Sequence, residues 1–436
     1  MEKLINFLMS EGIEEVELLI KERKEKILTF QNSILLPPYE RELKEFSARG
    51  IKEGKLGFVP SAEVFDFREL ARQLLISTNL GPKVNFHFPY SGSCLPKRKV
   101  FDPALEDITC ADLISQGREI LAKLTQLNSR INANFNISLI IEYITIVNSN
   151  GTYFKYPVSE LTYQLTGIVE GSKTGVTRML FSSKFVPFPQ EKLEEIAFYY
   201  SLANNLVDFK LSSCPVILDP QAGWTLFYRF YTGVNGENIL KGVSPLAGKV
   251  GERIFSPKLS ILDDPTLDYL PGSIPVDDEG VLTSRKILVE KGVLKGFIFD
   301  LFTASGYGTS STGNGLKHTM WMKGMEFPPR PNFTTLFCQP GNLTVKEMIT
   351  SLEEGILIEE VLGFHSGNIL AGDFSVNVGM GYLIKNGKPR GRVGGCMVSG
   401  NIYSLFNDDI TLSKECEAIG RYYIPYLKLG KINITN

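Results

Sequence analysis

Leu4, Ile5, Leu8 and Met9 recur at helical spacing and stop at Gly12, after which Val16, Leu18 and Ile20 alternate as in a half-buried strand. The chain is therefore expected to open with a helix and a strand. Lys26 to Gln31 reads as a second short strand, and Gly50 to Pro60 as extended chain broken by a glycine turn. Val64, Phe67, Leu70, Ala71, Leu74 and Leu75 share one helical face that ends before Gly81-Pro82. These elements predict an α+β unit over residues 1–82.

Residues 81–103 (GPKVNFHFPYSGSCLPKRKVFDP) carry no sustained period and read as a connector. Beyond it, Leu113, Gly117, Ile120, Leu121 and Leu124 predict a helix, and Asn150-Gly151 in TIVNSNGTYFKY predicts a type I′ hairpin between two strands. Leu193, Ile196, Ala197, Tyr200, Ala203 and Val207 form another helical face, which completes a connector and middle α+β unit over residues 83–213. From Cys214 glycine becomes frequent, and strand-like runs such as VLKGFIFD and GYLIKNGK flank the turns Lys291-Gly292 and Asn386-Gly387. One helix is expected to interrupt this part, with Thr344-x-x-Glu347 as capping box and Gly355 as stop. The fold class expected is α+β: N-terminal α/β units followed by a large β-rich, mainly antiparallel C-terminal domain over residues 214–436.

Composition narrows the classes of function. Forty-six basic against 48 acidic residues give a net charge of −2, so nothing in the charge balance favours nucleic acid as a partner. The most apolar stretch, Ile137 to Val147, contains Glu142 and falls short of the roughly 20 residues of a spanning helix, so no membrane partner is expected. The N-terminal residues do not read as a signal peptide, and the six cysteines form no CxxC pair, which fits reduced thiols and a cytoplasmic location.

Histidine is the scarcest chemical resource, at three residues: His87, His318 and His365. No HExxH-type pair places two imidazoles on one helical face, so the three are read as structural. Cys396, within GRVGGCMVSGN, is the best candidate for a thiol nucleophile, although the same pattern suits a packed strand entering a turn. Asp263-Asp264-Pro265 and Asp277-Asp278-Glu279-Gly280 lack the alternating ligands of a calcium loop and read first as turn formers. The segment GYGTSSTGNG, residues 306–315, lacks the ending of a phosphate loop; its hydroxyls and glycines suit a groove for extended peptide backbone.

Taken together, SILDDPTLDYLPGSIPVDDEGVLTSRKILVEKGVLKGFIFD, TASGYGTSSTGNG, GDFSVNVGMGYLIKNGK and VSGNI, in this order, resemble the TldD/PmbA family, historically termed modulators of DNA gyrase. The likeness extends to the opening α+β unit and the VNSNGTYFKY hairpin. TldD-type chains carry an HExxxH helix early in the C-terminal domain, whereas the corresponding stretch here is LFYRFYTGVNGENILKG, with Tyr228 and Arg229 near the expected His-Glu. The resemblance thus points to the PmbA/TldE type of subunit, without the zinc motif.

That resemblance implies a chain with no catalytic residue, metal or cofactor of its own. It implies a heterodimer with a TldD-type subunit that holds the zinc, a homodimer when the chain is alone, and an enclosed chamber that degrades or processes unfolded peptides. Thr312, Gly313, Asn314, Ser366 and Asp373 are the peptide-groove candidates, with buried turn stabilisation as the competing role. The alternatives are a homodimeric peptide-binding protein without protease activity, a cysteine hydrolase using Cys396, and direct action on DNA or topoisomerase, which the charge balance disfavours.

Overall fold

A computed structural model describes the chain except for residues 62–65, 93, 173, 319–323 and 436. Helix α1 (Glu2–Ser10) leads into β1 (Glu15–Gln31), a single strand of 17 residues rather than two short ones. The charged middle of β1 does not break it, because its side chains find partners. Arg23 bonds Glu142 on the neighbouring strand at 2.6 Å, and Glu25 receives Arg41 at 2.6 Å.

With β2 (Ile34–Leu35), β3 (Tyr39–Lys52), β4 (Lys55–Ser61), β5 (Ala133–Asn148), β6 (Tyr153–Ile168) and β7 (Gly175–Ser182), β1 builds one antiparallel sheet in the order β4-β3-β1-β5-β6-β7, β2 flanking β1. Strand β1 pairs with both β3 and β5, so the stretches 1–82 and 83–213 share a sheet. Helix α2 (Phe67–Leu80) closes one end of it through Leu70, Ala71 and Leu74; Val64 lies outside the described residues. Helices α3 (Cys110–Leu127) and α4 (Gln190–Ala203) cover the rest, Ile120, Leu124, Ile196 and Tyr200 packing with Phe135, Ile137 and Tyr163.

The β5–β6 connection departs from the expected I′ turn. Only Gly151 takes a positive φ, +94°, while the Asn148 carboxamide oxygen accepts from the backbone N–H groups of Asn150 and Thr152. The side chain therefore organises a longer loop in place of two left-handed residues. Lys291-Gly292 and Asn386-Gly387 do have both φ values positive.

The C-terminal part forms a mixed, mainly antiparallel 12-stranded sheet among the described residues. Its centre is Ser213–Leu218, which pairs parallel with Glu354–Leu362 and antiparallel with Tyr422–Thr435. Alternation along that strand sends Val216 and Leu218 into the C-terminal core and Ile217 into the core shared with α3 and α4, so the two halves are packed together. The capping box of Thr344 and Glu347 is present, but its helix, Val345–Thr350, ends at Ser351 and Gly355 already lies in the next strand.

Helices are more frequent here than the single one expected. The longest, α5 (Pro220–Val234), starts with Pro220 at its first position and the Asp219 carboxylate accepting from Ala222 N–H. Leu226, Phe227, Phe230 and Val234 bury it in the C-terminal core. Nearly all of its residues are buried, Arg229 included, and only Gln221, Trp224 and Tyr231 are partly exposed.

Candidate functional site

Trp224, Tyr228 and Tyr231 stand at i, i+4 and i+7 of α5 and form one aromatic edge. Trp224 and Tyr228 stack with ring centroids 5.6 Å apart, and Tyr228 and Tyr231 follow at 6.1 Å. With His318, Asn332 and the hairpin tip Ile419–Tyr422 they line a groove of about 250 Å³. Phe364 packs edge-on against Trp224 at 5.4 Å and against Tyr228 at 6.1 Å. The Tyr231 hydroxyl donates to Pro331 O at 2.9 Å, which orients its ring, and burial raises its phenol above the ordinary value.

Arg229 points the other way and is fully buried. Its guanidinium donates to Asp373 O at 2.7 Å, Ser366 O at 2.8 Å and Thr225 O at 3.0 Å, and lies 5.8 Å from the Phe374 ring centre. Burial among neutral carbonyls pushes its pKa down to about 10, against the raising influence of Tyr228 and Asp373. Ser366 and Asp373 are thus brought together by Arg229 through their main chains. The exposed Asp373 carboxylate accepts from Asn401 Nδ2 at 2.8 Å.

Thr312, Gly313 and Asn314 form a different unit, a turn behind the groove wall. The Thr312 hydroxyl donates to Asn314 Oδ1 at 2.7 Å, and Gly313 takes φ +71°. Asn314 Nδ2 donates to Asp263 at 2.7 Å and to Asn332 O at 2.8 Å, so Asn314 touches the groove only through Asn332.

Both acidic clusters are buried in hydrogen bonds. Asp263 accepts from Thr334 N–H at 2.8 Å and Thr335 N–H at 3.0 Å, and pairs with Lys286 at 3.0 Å. Asp277 accepts from the N–H groups of Glu279, Val281 and Gly315, while Asp278 and Glu279 face the N-terminal sheet. Arg49 on β3 holds Glu17 at 2.8 Å and Glu279 at 2.6 Å, while Lys21 on β1 holds Asp278 at 2.9 Å. Burial, reinforced by Glu279, raises the Asp277 carboxyl well above the usual range. Burial alone would raise Asp278 too, but the Lys21 ammonium keeps it below the ordinary value. Lys317, buried beside these cations, is pushed down to about 7 by desolvation and by Arg49.

Cys396 is 1% exposed, and burial raises its thiol, the opposite of an activated nucleophile. His87, by contrast, is exposed and pairs with Glu15, whose hydrogen bond raises the imidazole pKa.

The comparisons with known proteins agree with this architecture. Residues 212–436 match the PmbA/TldA metallopeptidase C-terminal domain. The chain belongs to the PmbA/TldD family. It is 28% identical to an uncharacterized protein of Methanocaldococcus jannaschii, over 98% of this chain and 97% of that protein. A metalloprotease TldD homolog of Haemophilus influenzae is 32% identical over 43% of this chain and 38% of its own length. The crystal structure of TldE from Thermococcus kodakarensis superposes with TM-score 0.88 at 22% identity, over 100% of this chain and 99% of that one.

The description of the matched domain as a metallopeptidase implies a metal. Near the place on α5 where the resemblance to TldD-type chains would put His and Glu, Tyr228 offers a phenol and Arg229 a guanidinium already bonded to three carbonyls. Among the described residues no group of three or more His, Cys, Asp or Glu converges as ligands would. These residues do not fit zinc at α5.

What sequence reasoning missed is the groove itself: Trp224, Tyr231, His318, Asn332, Arg421 and Tyr422. The aromatic spacing along α5 was a usable signal. The hairpin tip was not, since its approach to α5 depends on strands more than 150 residues apart in the chain.

Proposed function

We propose that this chain is the non-catalytic, PmbA/TldE-type subunit of a TldD/TldE-like metalloprotease complex that degrades or processes unfolded peptides. The observation that carries this reading is the fate of the α5 position. Where TldD-type chains place a water-activating Glu, Arg229 is buried and ties the 366–373 segment to the helix. The open side of the same helix carries the aromatic groove, which suits apolar side chains of an extended peptide without demanding one sequence. In this reading zinc belongs to a TldD-type partner, the assembly is a heterodimer, and the chain pairs with itself when alone.

Among the described residues no helix is long and apolar enough to cross a membrane, and a cytoplasmic location belongs to the same proposal. The test is co-purification of the chain with a TldD-type subunit from its source cell, followed by peptide hydrolysis with and without chelator. Chelator-sensitive hydrolysis confined to the complex is expected. Failure to form any complex would overturn the reading in favour of a homodimeric peptide-binding protein.

A further inference from the structure

A second cavity, about 270 Å³, lies between the N-terminal sheet and the C-terminal domain and shares His318, Gly420 and Arg421 with the aromatic groove. Basic side chains line it, Lys21, Arg23 and Arg421 together with Lys317, whose amine donates to Phe327 O, against two carboxylates, Glu142 and Glu160. Glu142 is already matched by Arg23 at 2.6 Å, and Lys21 is turned to Asp278 at 2.9 Å. The side facing the groove is held by Arg421, which lines both cavities. Arg421 Nη1 is buried and has no hydrogen-bond partner among the described residues. A buried guanidinium nitrogen without an acceptor is costly, and a ligand oxygen entering the cavity would offset that cost.

Arg421 is placed by a built structure, not by a loose loop. Ile419 and Tyr422 pair directly across a two-residue hairpin, and Gly420 at its first central position takes φ +56°. This is the pattern of a type II′ turn, which needs glycine there. Leu336 N–H bonds Arg421 O at 2.9 Å, and Gly272, at φ +84°, leaves room for the arginine stem, since a Cβ there would lie 2.9 Å from Arg421 Cγ. The guanidinium fork is thus presented at the junction of an aromatic groove and a cationic cavity.

We propose that Arg421 is a carboxylate-binding subsite that captures the C-terminal carboxylate of a peptide lying in the groove along α5. The proposal rests on the peptide-binding reading above and adds to it a polarity and a preference for chain ends. A planar fork suits a carboxylate in bidentate fashion, and the low-dielectric surroundings strengthen the contact. An acidic side chain offers the same chemistry, so the probes must separate the two sources.

The experiment measures binding of fluorescently labelled, unstructured peptides to the full chain, alone and with a TldD-type subunit. Three versions of one apolar peptide are compared: free acid, C-terminal amide, and amide with glutamate as the last residue. The expected result is about 10-fold tighter binding of the free acid than of the simple amide, the value of one charge-assisted contact. That preference falls to about 2-fold or less in Arg421→Gln and is partly kept in Arg421→Lys. Equal affinity for free acid and amide would overturn the subsite while leaving peptide binding intact. Tighter binding of the glutamate amide than of the free acid would also overturn it, by assigning Arg421 to side chains. No binding of any peptide would overturn the groove reading itself.

Discussion

Arg229→Met removes a guanidinium of similar volume and leaves the carbonyls of Ser366 and Asp373 without their buried donor. The Thr225 carbonyl, in the same helix, keeps an acceptor role within α5. Each buried acceptor stripped of its donor costs about 1–3 kcal/mol, and the relief from no longer burying a charge offsets part of the sum. We expect a net loss of about 3 kcal/mol, which with a urea dependence of about 3 kcal/mol per molar moves the unfolding midpoint down by about 1 M. Trp224, on α5 one turn from Arg229, supplies the fluorescence signal. Amide exchange across residues 366–373 should accelerate more than elsewhere, because that segment loses its tie to the helix. Arg229→Lys keeps the charge with fewer bonds and should fall between the two. A midpoint unchanged within about 0.2 M, or exchange that rises uniformly, would refute the assignment of Arg229 as the link between α5 and this segment.

Lys317, at about 7 folded against 10.5 for the ordinary side chain, binds fewer protons folded than unfolded between those values. Stability relative to Lys317→Met should therefore rise as pH goes from 7 to 10, and a flat difference in paired denaturation curves would contradict the burial argument. Asp300 has the opposite sense: burial and Glu279 raise it to about 7 from 3.8, so its contribution is present at low pH and is lost as pH rises through 7, an effect Asp300→Asn should remove. Gly315→Ala would set a Cβ 2.1 Å from Glu279 Oε2, an atom held by Leu301 N–H on a carboxylate whose other oxygen is held by Arg49. A loss of about 2–3 kcal/mol is expected in thermal or urea unfolding, and a neutral variant would show that Glu279 can move. Among the thiols, exposed Cys94 should react with an alkylating reagent first, and buried Cys214, Cys338 and Cys396 only on unfolding; early modification of Cys396 by mass spectrometry would reopen its nucleophile reading.

Local patterns revealed much of the fold. The capping box at Thr344, the paired turns at Lys291 and Asn386, and the helical faces of α2 to α4 are properties of short windows, and the structure shows each, except that Val207, expected on the α4 face, lies in the short strand Leu206–Val207 after the helix has ended at Ala203. The failures are of two physical kinds. Long-range charge pairing kept β1 continuous where its own residues suggested a break, and α5, rich in aromatic residues, is a helix buried in the C-terminal core where strand-like runs were expected. The site followed the same division. Ser366 and Asp373 were legible as polar residues in glycine-rich surroundings, but the arginine that joins them was not. Thr312 and Asn314 were legible as a polar turn, yet only the folded chain shows their groups spent on Phe299, Asp263 and Asn332.

The central claim concerns where the zinc and the hydrolysis reside. Metal content and hydrolysis of an unfolded peptide should be measured for this chain alone, for a TldD-type subunit, and for the two together, each with and without chelator. Stoichiometric zinc and chelator-sensitive hydrolysis are expected only where the TldD-type subunit is present, with full activity in the pair. Stoichiometric zinc and peptide cleavage by this chain alone would contradict the claim.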